Sequence, residues 1–213
     1  MLSRVANNIY WLGRYLERAE NTARIMNVNS NLLLDLPKDI RLGWEPILEI
    51  LTSSDDFKLK YETASEANIA SFLIADKSNP SSIINSLYQA RENARTIREI
   101  IPREAWEQIN SLYLLAKDGQ ANALNRRHRY TYLNKIILSN QAITGILAGT
   151  MTHDEGYEFL RLGRNLERAD MTTRIIDVRS ASLLPDIEDR QSPFENIQWM
   201  SVLKSLTGYQ MYR

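Results

Sequence analysis

Apolar residues recur at helical spacing along most of the chain, and this pattern predicts an all-helical protein. The longest run begins at Ser3, a residue suited to capping a helix N-terminus, and continues to about Leu34. The alternation of Phe57, Leu59 and Tyr61 allows one short strand within residues 52–63. Further helices are expected at 46–51, 65–75 and 80–101, from Pro102 onward, and at 123–150, 154–184 and 193–213. We therefore expect a bundle of about eight helices that forms a single domain over residues 1–213.

The strongest feature of the sequence is a segment that occurs twice. Residues 12–28 read LGRYLERAENTARIMNV and residues 162–178 read LGRNLERADMTTRIIDV, with 11 of 17 positions identical at a constant offset of 150. A tryptophan beside an apolar run follows each segment, at Trp44 and at Trp199. We interpret this as an internal duplication with copies near 3–51 and 153–213. The two long helices are expected to pack together about an approximate twofold axis, with Glu–Arg contacts between them.

Charged residues occupy the same side of the predicted helix in both copies, opposite an apolar face of leucine and alanine. A merely solvated face would have no reason to keep its charges between copies, so we take the retained charges as the candidate binding residues. They are Arg14, Glu17, Arg18, Glu20 and Arg24 in the first copy and Arg164, Glu167, Arg168, Asp170 and Arg174 in the second.

Two interpretations of this charged face remain open. An ion-pair network between the two helices would fix how they cross, and would supply orientation more than net stability. Alternatively, the arginines would form a pocket for an anion or a peptide carboxylate, because guanidinium groups bind carboxylates through two parallel hydrogen bonds. In that pocket Glu17 and Glu167 would orient the arginines or bind an amine.

Composition narrows the chemistry further. The 26 basic and 26 acidic residues cancel, so the chain has no global attraction to nucleic acid or to anionic lipid. Cysteine is absent, which excludes disulfides, thiolate metal sites and a cysteine nucleophile. No apolar run approaches the roughly 18 residues of a membrane span, and the N-terminus lacks the apolar stretch of a signal peptide. We expect a cytoplasmic protein without nucleic-acid or membrane partners.

Motifs for metal and cofactor chemistry are missing from the sequence. A dinuclear iron or manganese bundle needs Glu-x-x-His, but Asn125 and Thr150 stand three residues before His128 and His153. Glycine loops that bind phosphate groups, G-x-x-x-x-G-K-[ST] and G-x-G-x-x-G, do not occur. We expect no metal and no cofactor; a magnesium site built from carboxylates alone is the remaining metal option.

A second candidate anion site lies at Asn79-Pro80, which predicts a helix capped by Asn79 with proline in its first turn. The unpaired N–H groups of such a helix end, together with the hydroxyls of Ser81 and Ser82, would suit an anion. The alternative is that these residues only start the helix.

The sequence resembles the alpha-E domain family, an all-helical bacterial family named for a characteristic glutamate. The resemblance spans nearly the whole chain and is carried by SRVANNIYWLGRYLERAENTAR (3–24), NPSSI (79–83), ARENARTIRE (90–99), Trp106-Glu107 and residues 162–178. It implies an association with circularly permuted ATP-grasp proteins, which resemble peptide ligases, and with transglutaminase-like proteins. It also implies a role in making or modifying a peptide-like product.

The expected function is therefore a non-catalytic accessory module for an ATP-grasp, peptide-ligase-like enzyme, with a peptide or carboxylate ligand held by the charged face. One alternative is an enzyme of the same pathway that uses Glu17 and Glu167 as acid and base. Another alternative is a purely structural scaffold.

The C-terminal segment 199–213 carries many apolar residues, including Trp199, Leu203, Leu206 and Met211. Family members continue with another Pro-Ser-containing helical stretch, so the resemblance implies that this chain lacks the C-terminal segment of the domain. We expect residues 199–213 to form a surface for homo-oligomerisation, a docking site or a poorly ordered end.

Overall fold

The fold is described from a computed structural model that covers residues 1–35, 43–183 and 195–213. Within these ranges the chain forms ten helices and no strand, which confirms the all-helical prediction. The helices are α1 (Ser3–Asp35), α2 (Glu45–Ile50), α3 (Ser54–Lys58), α4 (Glu66–Ile74), α5 (Ile83–Thr96), α6 (Arg103–Ala123), α7 (Arg126–Thr150), α8 (Glu155–Leu183), α9 (Glu195–Ser205) and α10 (Tyr209–Tyr212). The predicted helix starts and ends that fall within 36–42 and 184–194 lie outside the described residues.

Two short helices account for the difference from the expected number. The strand allowed near Phe57 is wrong, because this residue lies in α3 and stacks on Tyr61 one helical turn later, with ring centroids 4.9 Å apart. The final helix is divided into α9 and α10 at Thr207, whose φ of 61° lies in the left-handed region.

The start of α5 also differs from the prediction. Its N-cap is Ser82, whose hydroxyl accepts a hydrogen bond from the Asn85 N–H, and not Asn79. Asn79 instead holds the preceding turn, since its side chain accepts from the Ser81 N–H and donates to the Phe72 carbonyl. Because Asn79 and Ser82 are buried in these local bonds, only Ser81 of the second candidate anion site lines a cleft.

Helix α1 is the centre of the bundle and packs against α5, α7, α8 and α9, while α6 packs against α5 and α7. Its apolar seam is fully or nearly fully buried; it consists of Ile9, Leu12, Leu16, Ala19, Ala23 and Met26.

Helix α8 lies beside α1 and runs in the same direction, as the order of the contacts along the two helices shows. The Met1 amine pairs with Glu155, and the Arg179 guanidinium donates to Asn29 much further along.

The backbones of α1 and α8 touch at two glycines. A methyl group at Gly13 would overlap the Leu160 carbonyl oxygen, and one at Gly163 would overlap the Tyr10 carbonyl oxygen. These two contacts are reciprocal, because Gly163 is Gly13 shifted by 150 and Leu160 is Tyr10 shifted by 150. The interface therefore presents the same patch from each helix, as in a twofold-symmetric contact.

The reciprocity extends to the helices that follow. Residues 44–52 (WEPILEILT) match 199–207 (WMSVLKSLT) at an offset of 155, and both segments end in a threonine with positive φ, 48° at Thr52 and 61° at Thr207. The next residue after each threonine, Ser53 or Gly208, donates its N–H five residues back to the helix, which is the hydrogen bond of a Schellman cap. Helix α2 packs on α8, and α9 packs on α1. Each short helix thus lies against the long helix of the other half.

The apolar C-terminal edge is present in the structure. Trp199 is 38% exposed, and Met211 and Tyr212 are largely exposed, whereas Val202 is buried. Homo-oligomerisation through residues 199–213 stays a prediction.

Replacing Gly13 or Gly163 by alanine should destabilise the protein, because the added methyl group would overlap a main-chain carbonyl oxygen. Overpacking costs about 1–3 kcal/mol, which lowers Tm by about 2–4 °C or more in a chain of this size. Gly145→Ala is the matched control, since Gly145 lies inside α7 and has open space around it. The control should keep or raise Tm, because alanine favours helix. Equal Tm changes in all three variants would contradict the close approach.

Candidate functional site

The predicted charged face forms two clusters between α1 and α8. In the first cluster, the Glu167 carboxylate accepts from Arg18 at 2.7 Å and 3.0 Å and from the Arg14 Nε at 2.5 Å. In the second cluster, the Glu17 carboxylate accepts from Arg168 at 2.8 Å and 3.1 Å and from the Arg164 Nε at 3.3 Å. The clusters are equivalent under the offset of 150, and they confirm the predicted Glu–Arg contacts between the two helices.

Both carboxylates are buried, each 3% exposed, whereas the arginine side chains range from 16% exposed at Arg14 to 45% at Arg168. Taking a carboxylate out of water is costly unless it is fully paired, and here each one accepts hydrogen bonds from two guanidinium groups. Arg14 and Arg18 would repel each other alone, one helical turn apart. The buried Glu167 carboxylate between them offsets that repulsion.

Pairing with the glutamates raises the pKa of two of these guanidinium groups. The hydrogen bond to Glu17 raises the pKa of Arg168 above its ordinary value. Burial alone would lower the pKa of Arg14, but hydrogen bonds with Tyr10 and Glu167 outweigh burial and raise it. Arg14 and Arg168 are therefore fixed cations at every physiological pH.

A second tier of ion pairs lies one turn further along each helix. Arg24 binds Glu20 within α1, and Arg174 binds Asp170 within α8 at 2.9 Å and 3.1 Å. The two pairs differ in burial, since the Glu20 side chain is 8% exposed and the Asp170 side chain 37%. Burial raises the pKa of Glu20 despite the attraction of Arg24.

A polar cleft of about 230 Å³ opens beside the first cluster, and we call it the arginine cleft. It is lined by Arg14, Arg18, Leu51, Thr52, Ser81, Glu167, Asp170, Met171 and Arg174. Its three arginines exceed its two carboxylates by one positive charge. The Thr52 hydroxyl accepts from Arg174 at 2.9 Å, so the residue with strained backbone shapes the cleft wall.

The opposite side of the helix pair is nearly closed. The equivalent space beside Glu17, Glu20, Arg24 and Arg168, which residues 205–207 also line, measures only about 20 Å³. The same set of charges therefore faces an open cleft on one side and packed side chains on the other.

All ten residues of the predicted charged face lie along the α1–α8 pair, at its interface or at the edges of the two openings. Sequence reasoning missed Gly13 and Gly163, although both lie in the matched segments and their identity was visible. It also missed Thr52, which becomes recognisable only when the second segment pair is aligned at an offset of 155. Nothing in the sequence indicated the contact between Arg179 and Asn29. The two positions are equivalent at the offset of 150, but they hold different residues.

Metal and membrane features can be stated for the described parts of the chain. There, no group of three or more His, Asp or Glu side chains is arranged to hold a metal ion. In the same ranges, no helix has both the length and the apolar character needed to cross a bilayer.

The site thus defines an all-helical protein whose two long helices are joined by Glu-Arg dipeptides, Glu17-Arg18 and Glu167-Arg168. The chain belongs to the Alpha-E family, whose model matches residues 1–213 and is described as a predicted alpha-helical domain with a conserved ER motif. The sequence contains that dipeptide twice, and the two glutamates are the buried carboxylates at the centres of the two clusters.

Curated relatives are distant and longer. An uncharacterized protein of Mycobacterium bovis and one of Mycobacterium tuberculosis are each 21% identical over 195 residues, which covers 81% of this chain and 22% of theirs. The chain therefore spans about a fifth of the length of the curated relatives it matches. No solved structure matches it significantly.

Neutralising either buried carboxylate should destabilise the protein. In Glu17→Gln or Glu167→Gln the two facing arginines lose their counter-charge, and breaking a buried pair costs about 3–5 kcal/mol. We expect the lower end, because the arginines are partly exposed, and hence a Tm decrease of about 6 °C or more. Glu158→Gln is the control, since its pair with Arg161 is exposed and worth at most about 1 kcal/mol. Changes below about 1 °C in both buried variants would exclude the network.

Glu20 should behave differently as pH changes. Its pKa in the folded protein is raised from 4.5 by burial, so the folded state binds this proton more tightly than the unfolded state. The stability that protonated Glu20 contributes is therefore present at low pH and is lost as pH rises through the folded pKa. The Tm of Glu20→Gln relative to the wild type should increase as pH rises above 4.5 toward neutrality. A Tm difference that stays constant, or falls, would contradict this.

Proposed function

We propose that the chain is a non-catalytic accessory module that binds a carboxylate of a peptide-like ligand in the arginine cleft. The supporting observation is that the inner part of the charged face is fully paired, whereas its outer part borders an open cleft. The central glutamates are saturated by arginines, while the cleft beside Glu167 is open and carries one excess positive charge. The inner pairs hold the helices together, and the outer surface of the same arginines is left for a ligand.

The remaining donors of the cleft suit a carboxylate. Arg14 and Arg18 use their Nε and part of their terminal N–H groups on Glu167 and Tyr10, and each guanidinium has five donors. Thr52 and Ser81 also line the cleft, and each carries a hydroxyl. Together with the guanidinium groups they would bind the two oxygens of a carboxylate through charge-assisted hydrogen bonds.

The enzyme alternative receives less support from this geometry. Glu17 and Glu167 would need a free carboxylate oxygen within reach of a substrate proton to act as acid or base. All four of their oxygens instead accept hydrogen bonds from arginine. Because these oxygens are already occupied, the central pairs have a structural role in this proposal. That role is the same as the one they would have in a purely structural scaffold.

The proposed partner is an ATP-grasp protein of the peptide-ligase type, acting in the cytoplasm on synthesis or modification of a peptide-like product. This part rests on the alpha-E resemblance and on the absence of a phosphate-binding glycine loop from the sequence. An accessory module without such a loop would leave ATP chemistry to the partner and present or hold the peptide.

We also propose that the two halves arose by internal duplication. The proposal is supported by the matched segments at offsets of 150 and 155, by the reciprocal glycine and Glu–Arg contacts, and by the shared left-handed threonines. In this view the two openings began as equivalents, and only the arginine cleft has kept room for a ligand.

Ligand binding can be tested with a matched pair of variants. Acetyl-trialanine with a free carboxylate should bind the chain in calorimetry or NMR titration, and its C-terminal amide should not. Arg174→Gln should weaken binding at least tenfold, about 1.4 kcal/mol, because it removes the cation at the cleft edge. Arg24→Gln is the control, since Arg24 holds the equivalent place on the closed side. Equal affinity for acid and amide, or equal losses in both variants, would overturn the proposal.

A further inference from the structure

Helix α8 carries an apolar seam that nothing in the described part of the chain covers. Its residues alternate at spacings of three and four, the pattern of a helix–helix contact. All six are exposed, and the exposed fractions of the four large apolar members range from 39% at Phe159 to 54% at Leu162. The α8 seam consists of Phe159, Leu162, Leu166, Ala169, Thr173 and Ile176.

The same seam is buried in α1. Shifting each position back by 150 gives Ile9, Leu12, Leu16, Ala19, Ala23 and Met26, which are at most 8% exposed. Four of the six pairs keep a purely apolar residue of the same kind or size, and only Ala23 is replaced by a polar residue, Thr173. Helices α5 and α7 pack against α1, with α5 making the more extensive contact, while α8 meets α1 at the glycines. The seam of α1 is thus buried, whereas the equivalent seam of α8 is exposed in the same molecule.

We propose that the α8 seam is the docking surface for an amphipathic helix of a partner polypeptide, of the same kind as α5. This inference stands on the seam alone and does not depend on the carboxylate ligand of the arginine cleft. Helix α5 shows what such a surface accepts, because its own buried positions recur at spacings of four and three: Ile83, Leu87, Ala90, Ala94 and, just past the helix end, Ile97. Small residues in the middle of both seams let the two helices approach closely.

The equivalent surface of α1 indicates which helix fits. The acidic residues beside the α8 seam give no preference, because Glu155 pairs with the Met1 amine and Glu158 pairs with Arg161. Helix α1 packs against α5, a helix of different sequence, and meets its own repeat, α8, at the glycines. The seam therefore favours a helix of the α5 kind over self-association.

The probe is a labelled, lactam-bridged peptide of residues 79–101, titrated against the full chain by fluorescence anisotropy. The bridge holds the peptide helical, so that weak binding cannot be attributed to unfolding of the probe. The test variant is Leu162→Ser combined with Leu166→Ser, which alters exposed side chains and should leave the fold intact by circular dichroism. Leu138→Ser is the matched control, because Leu138 is an equally exposed leucine on α7.

We expect the peptide to bind the wild type and the control equally, and the double variant at least tenfold more weakly. Failure of the peptide to bind better than a scrambled, equally bridged sequence would overturn the proposal. So would self-association in sedimentation that the double variant abolishes, because the occupant would then be a second copy of the chain.

Discussion

The close approach of α1 and α8 at Gly13 and Gly163 is the constraint on which the rest of the structure depends. Only where two backbones touch can a glutamate on one helix reach two arginines on the other and still be buried. A bulkier contact would separate the helices by the thickness of a side chain, and water would enter between the charges. The glycines thus determine the dielectric environment of the carboxylates as well as the packing distance.

Burial of Glu17 and Glu167 explains why the two clusters act as fixed structural elements and the outer tier does not. A buried carboxylate that accepts three hydrogen bonds from two arginines has one acceptable arrangement, whereas the partly exposed Asp170–Arg174 pair can exchange partners with water or with a ligand. Acidic side chains paired with arginines therefore serve two purposes within about one helical turn. Orientation of the helices comes from the inner pairs, and recognition, as proposed, from the outer arginines.

Much of the fold could be predicted from the sequence because periodicity reports directly on long helices, and α1, α7 and α8 begin or end within two residues of the expected positions. The matched segments also predicted which helices meet and through which charges. The hydrophobic pattern did not show which of several possible local contacts a side chain makes. The side chain of Asn79 bonds to a turn and not to the helix end, and Phe57 and Tyr61 are neighbours on a helical turn although they alternate in sequence. The openness of the arginine cleft depends on where Thr52 and Ser81 lie, which no single segment of the sequence encodes.

The distance in sequence between α1 and α8 has a consequence for biosynthesis. The arginines that pair with Glu17 are 147 and 151 residues further along the chain. At about 5–20 residues per second, the ribosome needs on the order of 10–30 s to synthesise that interval. Helix α1 can pack on α5 and α7 during this time, but its carboxylate stays in water until α8 emerges. Closure of the α1–α8 interface, with α2 and α9 each placed on the opposite half, is therefore a late event that joins two segments about 150 residues apart.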